Sequence, residues 1–289
     1  MTTTISLIGA GSMAEALIAG WTNPANGGRY HHQIKVSNRS NDQRLNYMSH
    51  TYPVETTRDP ERLIQQSNMI ILACKPKDWQ EALEPYQDYF TPEHTLVSVM
   101  AGISTADFEA FFPFSLPVIR TIPNTSAVVN ESMTPFAAGK HLTDEKLQAF
   151  RELFLDVGEI EQVDEQQMDA MTALTGTGPA YIYYLMESME KAAVDEGVDP
   201  ALARRLVSQT LLGAGIRVKS EDIPPKILYE QIMSPGGTTE AGFRVLEQKQ
   251  VQPSIMACIS AACTRSRELG STLSPSDTAP SSETKPKQN

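Results

Sequence analysis

From the N-terminus to about residue 160, short apolar runs alternate with longer stretches whose apolar residues recur every three or four positions. Ile5–Ile8, Ile34–Ser37, Met69–Ala73, Leu96–Met100 and Pro117–Thr121 have the length and branched content of buried strands, with a weaker one near Val54. Between them, Met13–Trp21, Asp42–Met48, Pro60–Ser67, Asp78–Phe90 and Thr105–Phe112 carry helical spacing. Such alternation predicts an α/β fold with a doubly wound parallel sheet, because each helix returns the chain to start the next parallel strand. Thr134–Ala138 and Glu159–Val163, flanking a helix at Asp144–Leu155, are expected to extend one edge.

From about Asp164 the pattern becomes almost continuously helical. Pro179 suits a helix start, Gly197 a helix end, and Asp199-Pro200 the next start. Across Leu202–Val218, apolar residues (Leu202, Leu206, Val207, Leu211, Leu212, Ala214, Ile216) occupy more than one face. A helix of that kind must be buried on several faces, which a domain of about a hundred residues does not manage alone. A homodimer formed through this part is therefore expected. Ser271–Asn289 is rich in Ser, Thr, Pro and Lys with Leu273 its one large apolar residue, and is expected to be a disordered tail. The expected division is 1–163 for the doubly wound sheet domain, 164–270 for an all-helical dimerisation domain, and 271–289 for the tail.

Composition narrows the classes. A length of 289 residues favours two domains, and a net charge of −11 argues against nucleic acid or an anionic membrane as partner. No apolar run approaches membrane-spanning length, and the chain enters Thr4–Ile8 with no room for a signal peptide, so a cytoplasmic location is expected. Cys74, Cys258 and Cys263 are odd in number and lack metal-ligand spacing, which points to reduced thiols and no metal. His31-His32, beside Gly27-Gly28, is expected in a solvated loop.

The chemistry begins at Gly9-Ala10-Gly11-Ser12-Met13-Ala14, which follows a strand and opens a helix as a Rossmann-type dinucleotide fingerprint requires. Gly9 permits the tight turn, Gly11 lets a pyrophosphate approach the backbone, and Ala14 replaces the third glycine. At the end of the second strand, where NAD enzymes usually carry Asp or Glu, stands Ser37-Asn38-Arg39-Ser40. A guanidinium, two hydroxyls and an amide suit a 2′-phosphate, and no carboxylate stands at the strand tip to repel it. NADPH is therefore expected, with NADH the weaker cofactor. Ala73-Cys74-Lys75-Pro76 ends the fourth strand, placing Lys75 along the cofactor while Pro76 stops the strand. Ala101-Gly102 would bring backbone close to the nicotinamide. Asn124, in Pro123-Asn124-Thr125, either contacts the nicotinamide side or forms an Asx-turn.

Nearer the C-terminus, Ser234-Pro235-Gly236-Gly237-Thr238-Thr239 runs into a helical pattern over Glu240–Glu247. Two glycines ahead of a helix make a cup of backbone N–H groups suited to a carboxylate or phosphate. The plainer reading is a capped helix start, and the two uses are compatible.

Together these residues resemble the pyrroline-5-carboxylate reductase family. The matching motifs are Gly9–Ala14, Ala73-Cys-Lys-Pro76, Pro123-Asn-Thr125, Gly176-Thr-Gly-Pro-Ala-Tyr181, and Ser234–Thr239 with Arg244-Val-Leu-Glu247, in the family's order over residues 4–270. The resemblance implies NADPH-dependent reduction of the C=N bond of 1-pyrroline-5-carboxylate to L-proline by a dimer that assembles further in some members. It implies a carboxylate pocket of Ser234, Gly236, Gly237 and Thr238, with Thr239 at the ring nitrogen as the one catalytic candidate. It also points to a substrate-contacting glutamate at Asp164-Glu165, for which Glu165 is taken. Gln231 stands where some relatives have an Asn that touches the cofactor.

Two other classes share parts of this pattern. A β-hydroxyacid dehydrogenase has a similar layout but needs a proton acceptor, commonly a lysine, and Gly176–Met186 contains no charged residue. A non-catalytic ligand sensor would be expected to have lost pocket residues, yet Ser234–Thr239 is intact.

Overall fold

The computed structural model describes residues 4–24 and 32–273. Eight strands form one sheet: β1 (Thr4–Ile8), β2 (Gln33–Ser37), β3 (Glu55–Thr56), β4 (Met69–Leu72), β5 (Thr95–Ser98), β6 (Val118–Thr121), β7 (Ser132–Ala138) and β8 (Gly158–Gln162). Their order is β3-β2-β1-β4-β5-β6-β7-β8, parallel except for the antiparallel β6–β7 pair. The order reverses direction at β1, which leaves a crevice outside the carboxyl ends of β1 and β4, the place where doubly wound sheets bind ligands.

Helices α1 (Ser12–Trp21), α2 (Asp42–Thr51), α3 (Pro60–Ile64), α4 (Trp79–Leu83), α5 (Thr105–Phe111), α6 (Asp144–Leu155) and α7 (Met168–Met171) belong with this sheet. Alternate strand residues supply two cores. Ile5, Leu7, Ile71, Val97 and Ile119 pack with Leu17, Trp21, Phe150 and Phe154. Ile8, Ile70, Leu72, Leu96 and Val118 pack with Leu63, Trp79, Leu83 and Phe108. Covering both faces explains why these strands place apolar residues on both sides rather than on one.

Two expected helices come out shorter. Asp78–Phe90 divides into α4 and a 3-10 stretch over Glu84–Tyr89, because Pro85 has no N–H to continue the α-helical ladder. Pro60–Ser67 stops at Ile64, and Gln66 turns the chain with φ of 65°. His32 also departs from the solvated-loop expectation: its side chain is largely enclosed and lies 3.8 Å from Asp156. Its neighbour His31 is outside the described residues.

The chain divides into two compact units, one running to Gly176 and resuming at Ala262, the other Thr177–Ala261. The second unit holds α8 (Gly178–Asp195), α9 (Pro200–Ser220), α10 (Pro225–Gln231), α11 (Thr238–Gln248) and the start of α12 (Val251–Leu273). Neither α8 nor α11 buries a residue fully, and α9 buries only Ala203 and Val207. Leu206, Leu212 and Ile216 of α9 are exposed, so these apolar positions are not covered by the described residues of this chain. The expected tail lies outside the described residues except for Ser271–Leu273, which continue α12.

Candidate active site

The glycine turn between β1 and α1 is shaped for close approach. Gly9 has φ of 114°, and a Cβ there would lie 2.5 Å from the Ala73 carbonyl oxygen, so only glycine fits. Gly11 caps α1 without any side-chain hydrogen bond, leaving the first-turn amides turned outward. A Cβ at Gly11 would have its nearest neighbour 3.9 Å away, so the space that glycine leaves is open to a ligand. This is a cradle a pyrophosphate fits, with the positive end of α1 behind it.

Arg44, on α2, ties the turn in place and has no signal in the sequence. Its Nε donates to the Ala10 carbonyl at 2.6 Å and its guanidinium pairs with Glu15. Tyr47 and Tyr52 also donate to Glu15. Burial alone would raise the Glu15 carboxyl, but the Arg44 hydrogen bond and charge, with the two tyrosine hydroxyls, hold it below the usual carboxylate range.

At the tip of β2 the expected 2′-phosphate group is only partly open. Ser37 is fully buried; its Oγ pairs with Tyr86 Oη at 2.9 Å and its carbonyl accepts from Gly9 N–H. Ser37 therefore builds the wall, while Arg39 and Ser40 are exposed. The Asn38 side chain bonds within its own turn to Asn41, and Arg58 donates to both its carbonyl and its Oδ1. Arg39 reaches Glu81 of α4 at 3.0 Å. A cleft of ≈ 420 Å³ here is lined by Gly9, Asn38, Arg39, Arg58, Cys74, Lys75 and Glu81, among others. Arg58 and Glu81 arrive from distant segments, which is why the strand tip read alone shows neither.

Just past the carboxyl end of β4, Cys74 and Lys75 line this cleft. Burial pushes the Cys74 thiol up to about 12, and its Sγ lies 3.5 Å from Met100 Sδ, so it shapes the wall and is no nucleophile. Past β5, Gly102 has φ of 85°, and a Cβ there would meet the Gly270 nitrogen at 2.9 Å. Its bareness thus serves the approach of α12. At the end of β6, Asn124 is buried: its Oδ1 caps the next turn through Ser126 N–H and its Nδ2 donates to the Thr175 carbonyl at 3.1 Å. Of the two readings left open for Asn124, the side chain here takes the local turn.

In the helical unit, Gly236 has φ of 72° and Gly237 is the N-cap of α11 with no side-chain cap. Two of the cup's amides are occupied. Gly237 N–H donates to the Ser234 carbonyl at 2.9 Å, and Gly236 N–H to Glu240 Oε2 at 2.6 Å. The amides of Thr238 and Thr239 sit at the first two helical positions, where no intrahelical acceptor exists. A carboxylate does settle at this bend, and it is the chain's own.

Comparison with known proteins agrees with this layout. Residues 165–269 match the family model for pyrroline-5-carboxylate reductase dimerisation, and residues 4–102 the model for NADP oxidoreductase, coenzyme F420-dependent. Pyrroline-5-carboxylate reductase 2 of Bacillus subtilis (strain 168) is 38% identical over 270 residues, spanning 92% of this chain and 94% of that protein. The pyrroline-5-carboxylate reductase of Methanosarcina acetivorans is 33% identical over 271 residues, spanning 92% and 97%. The chain belongs to the pyrroline-5-carboxylate reductase family. Among solved structures, Plasmodium falciparum pyrroline carboxylate reductase with NADP bound superposes with a TM-score of 0.83 at 26% identity, covering 93% of this chain and 98% of that one. The Streptococcus pyogenes enzyme superposes equally well, with a TM-score of 0.83 at 28% identity, covering 92% and 99%.

Two residues that the pyrroline-5-carboxylate reductase resemblance brings forward already have partners within this chain. Glu165 accepts from Arg120 Nη1 at 3.0 Å and from Thr105 Oγ1 at 2.9 Å, while Asp164 caps the short turn that follows it. Gln231 accepts from Arg217 Nη2 at 3.3 Å.

Proposed function

We propose that this protein is an NADPH-dependent pyrroline-5-carboxylate reductase that converts 1-pyrroline-5-carboxylate to L-proline, the last step of proline biosynthesis. The observation that carries the reading is a relative of that activity matching nine-tenths of both chains at 38% identity, on a chain whose nucleotide turn accepts only glycine at Gly9. The cofactor would be held by the Gly9–Ala14 turn, by Lys75 along the cleft, and by Arg39 at the 2′-phosphate. When bound, reduced nicotinamide supplies the hydride that adds to the imine carbon.

The protein's own part is binding, orientation and exclusion of water. A protonated C=N bond accepts hydride without forming an oxyanion, so no His or Lys acid is needed at the bend. Ser234, Gly236, Gly237 and Thr238 hold the substrate carboxylate, in the place where Glu240 now accepts from Gly236 N–H. Thr239 orients the ring nitrogen as a hydrogen-bond partner, because a threonine hydroxyl is a poor acid. A homodimer through the helical unit covers Ile182, Tyr184, Leu206, Leu212 and Ile216, whose exposure in a single chain supports it. A cytoplasmic setting suits NADPH and the free thiols of Cys74, Cys258 and Cys263.

The deciding assay follows NADPH oxidation with pyrroline-5-carboxylate beside a panel of small hydroxy and keto acids. Turnover confined to the panel would overturn the assignment.

A further inference from the structure

A carboxylate carried by α4 reaches the β2 tip, and its effect on the cofactor depends on whether a 2′-phosphate is present. Glu81 Oε1 lies 3.0 Å from Arg39 Nη1, and both line the cleft beside the glycine turn. The two side chains are 63% and 73% exposed respectively, so the pair is weakly held and readily exchanged for a bound group. Arg58 differs. Its three nitrogens go to the Asn38 carbonyl, Asn38 Oδ1 and Asp42, so it fixes the loop that carries Arg39. Arg39 is thus the guanidinium able to turn to a ligand, and Glu81 is the group it must leave.

We propose that Glu81 sets the balance between NADPH and NADH, competing with the 2′-phosphate for Arg39 and accepting a hydrogen bond from the ribose 2′-hydroxyl when the phosphate is absent. This rests on the reading of Arg39 as the 2′-phosphate partner. A planar guanidinium offers one carboxylate or phosphate its paired donors at a time, and the phosphate carries the larger charge. Once displaced, Glu81 remains beside a dianion and repels it. NADH requires no such displacement. Its 2′-hydroxyl is a donor that a carboxylate accepts well, which is the role an acidic residue plays in NAD-binding sheets of this type. The same side chain therefore opposes one cofactor and favours the other.

The test is equilibrium binding of NADPH and NADH to the full-length protein, read by cofactor fluorescence without imine substrate. Glu81→Gln keeps the shape and removes the charge. It is expected to bind NADPH about 3- to 10-fold more tightly and NADH about 2- to 5-fold more weakly, with the NADPH gain shrinking as salt is raised. Equal shifts for both cofactors, or none, would overturn the proposal. So would a loss of NADPH affinity, because Glu81 would then be orienting Arg39 rather than competing for it. Arg39→Asp should weaken NADPH far more than NADH; an unchanged ratio would sink the 2′-phosphate reading and this inference together. If the ratios move as expected but pyrroline-5-carboxylate is not reduced, only the assigned reaction fails.

Discussion

Arg120 Nη1 and Glu165 Oε1 meet at 3.0 Å, joining the end of β6 to the turn that precedes α7. Arg120 is 4% exposed, and its other terminal nitrogen reaches Asp169 at 3.2 Å. Glu165 also holds Thr105, the first residue of α5, and Asp169 accepts from Ser266 of α12. One buried cation therefore ties four separate segments of the sheet unit together. Arg120→Ala strands two carboxylates, and about 2–4 kcal/mol of unfolding free energy should be lost, less than for a fully buried pair because both carboxylates keep some water. Urea denaturation measures it; a loss near zero would mean that solvent already balances these charges.

The Glu15–Arg44 tie carries a pH dependence of definite sign. Glu15 titrates below its unfolded value, so the stability it contributes is present above about pH 4 and disappears as the pH falls through the folded pKa. Glu15→Gln is expected to cost up to ~1 kcal/mol at neutral pH, discounted for partial exposure, and progressively less as the pH falls through the lowered folded pKa. Thermal melts of both proteins across that range should converge at the acid end. A constant gap would assign the effect to packing.

Gly9 and Gly11 should fail in different ways. Gly9→Ala forces a side chain into the Ala73 carbonyl at positive φ, with an expected stability loss of about 1–3 kcal/mol. Gly11→Ala meets nothing closer than 3.9 Å and keeps an ordinary φ of −75°, so the melting temperature should hold while the KM for NADPH rises. A drop in stability at Gly11 as large as at Gly9 would argue that the turn serves folding rather than pyrophosphate binding.

Thr239→Ala separates orientation from proton donation. Loss of an orienting hydrogen bond predicts a fall in kcat of about tenfold, whereas loss of a proton donor would lower it by about a hundredfold or more. Steady-state kinetics at saturating pyrroline-5-carboxylate read the difference. The pH–rate profile should keep its shape in the variant.

Most elements were legible because their signal is local. The strand runs are apolar on both faces, and Gly9 must be glycine in any chain that turns so tightly beside a neighbouring strand. Periodicity misleads where a single residue overrides it, as Pro85 does by ending the α-helix within Asp78–Phe90. Ser37 belongs to a different kind of miss. Its hydroxyl looks available at a strand tip, but Tyr86 reaches it from 49 residues away.

Taken alone, the chain's order of residues determined the α/β layout, the dinucleotide turn, the glycine-pair bend and the family. Each of these depends on spacing within a few positions, which burial and backbone sterics impose locally. Tertiary structure decided which side chains face one another. It set Glu81 against Arg39, closed Gly102 onto Gly270, and placed Glu165 on Arg120. Those pairings arise from how helices stack over strand ends, and no local periodicity encodes the partner a charge will find across such a gap.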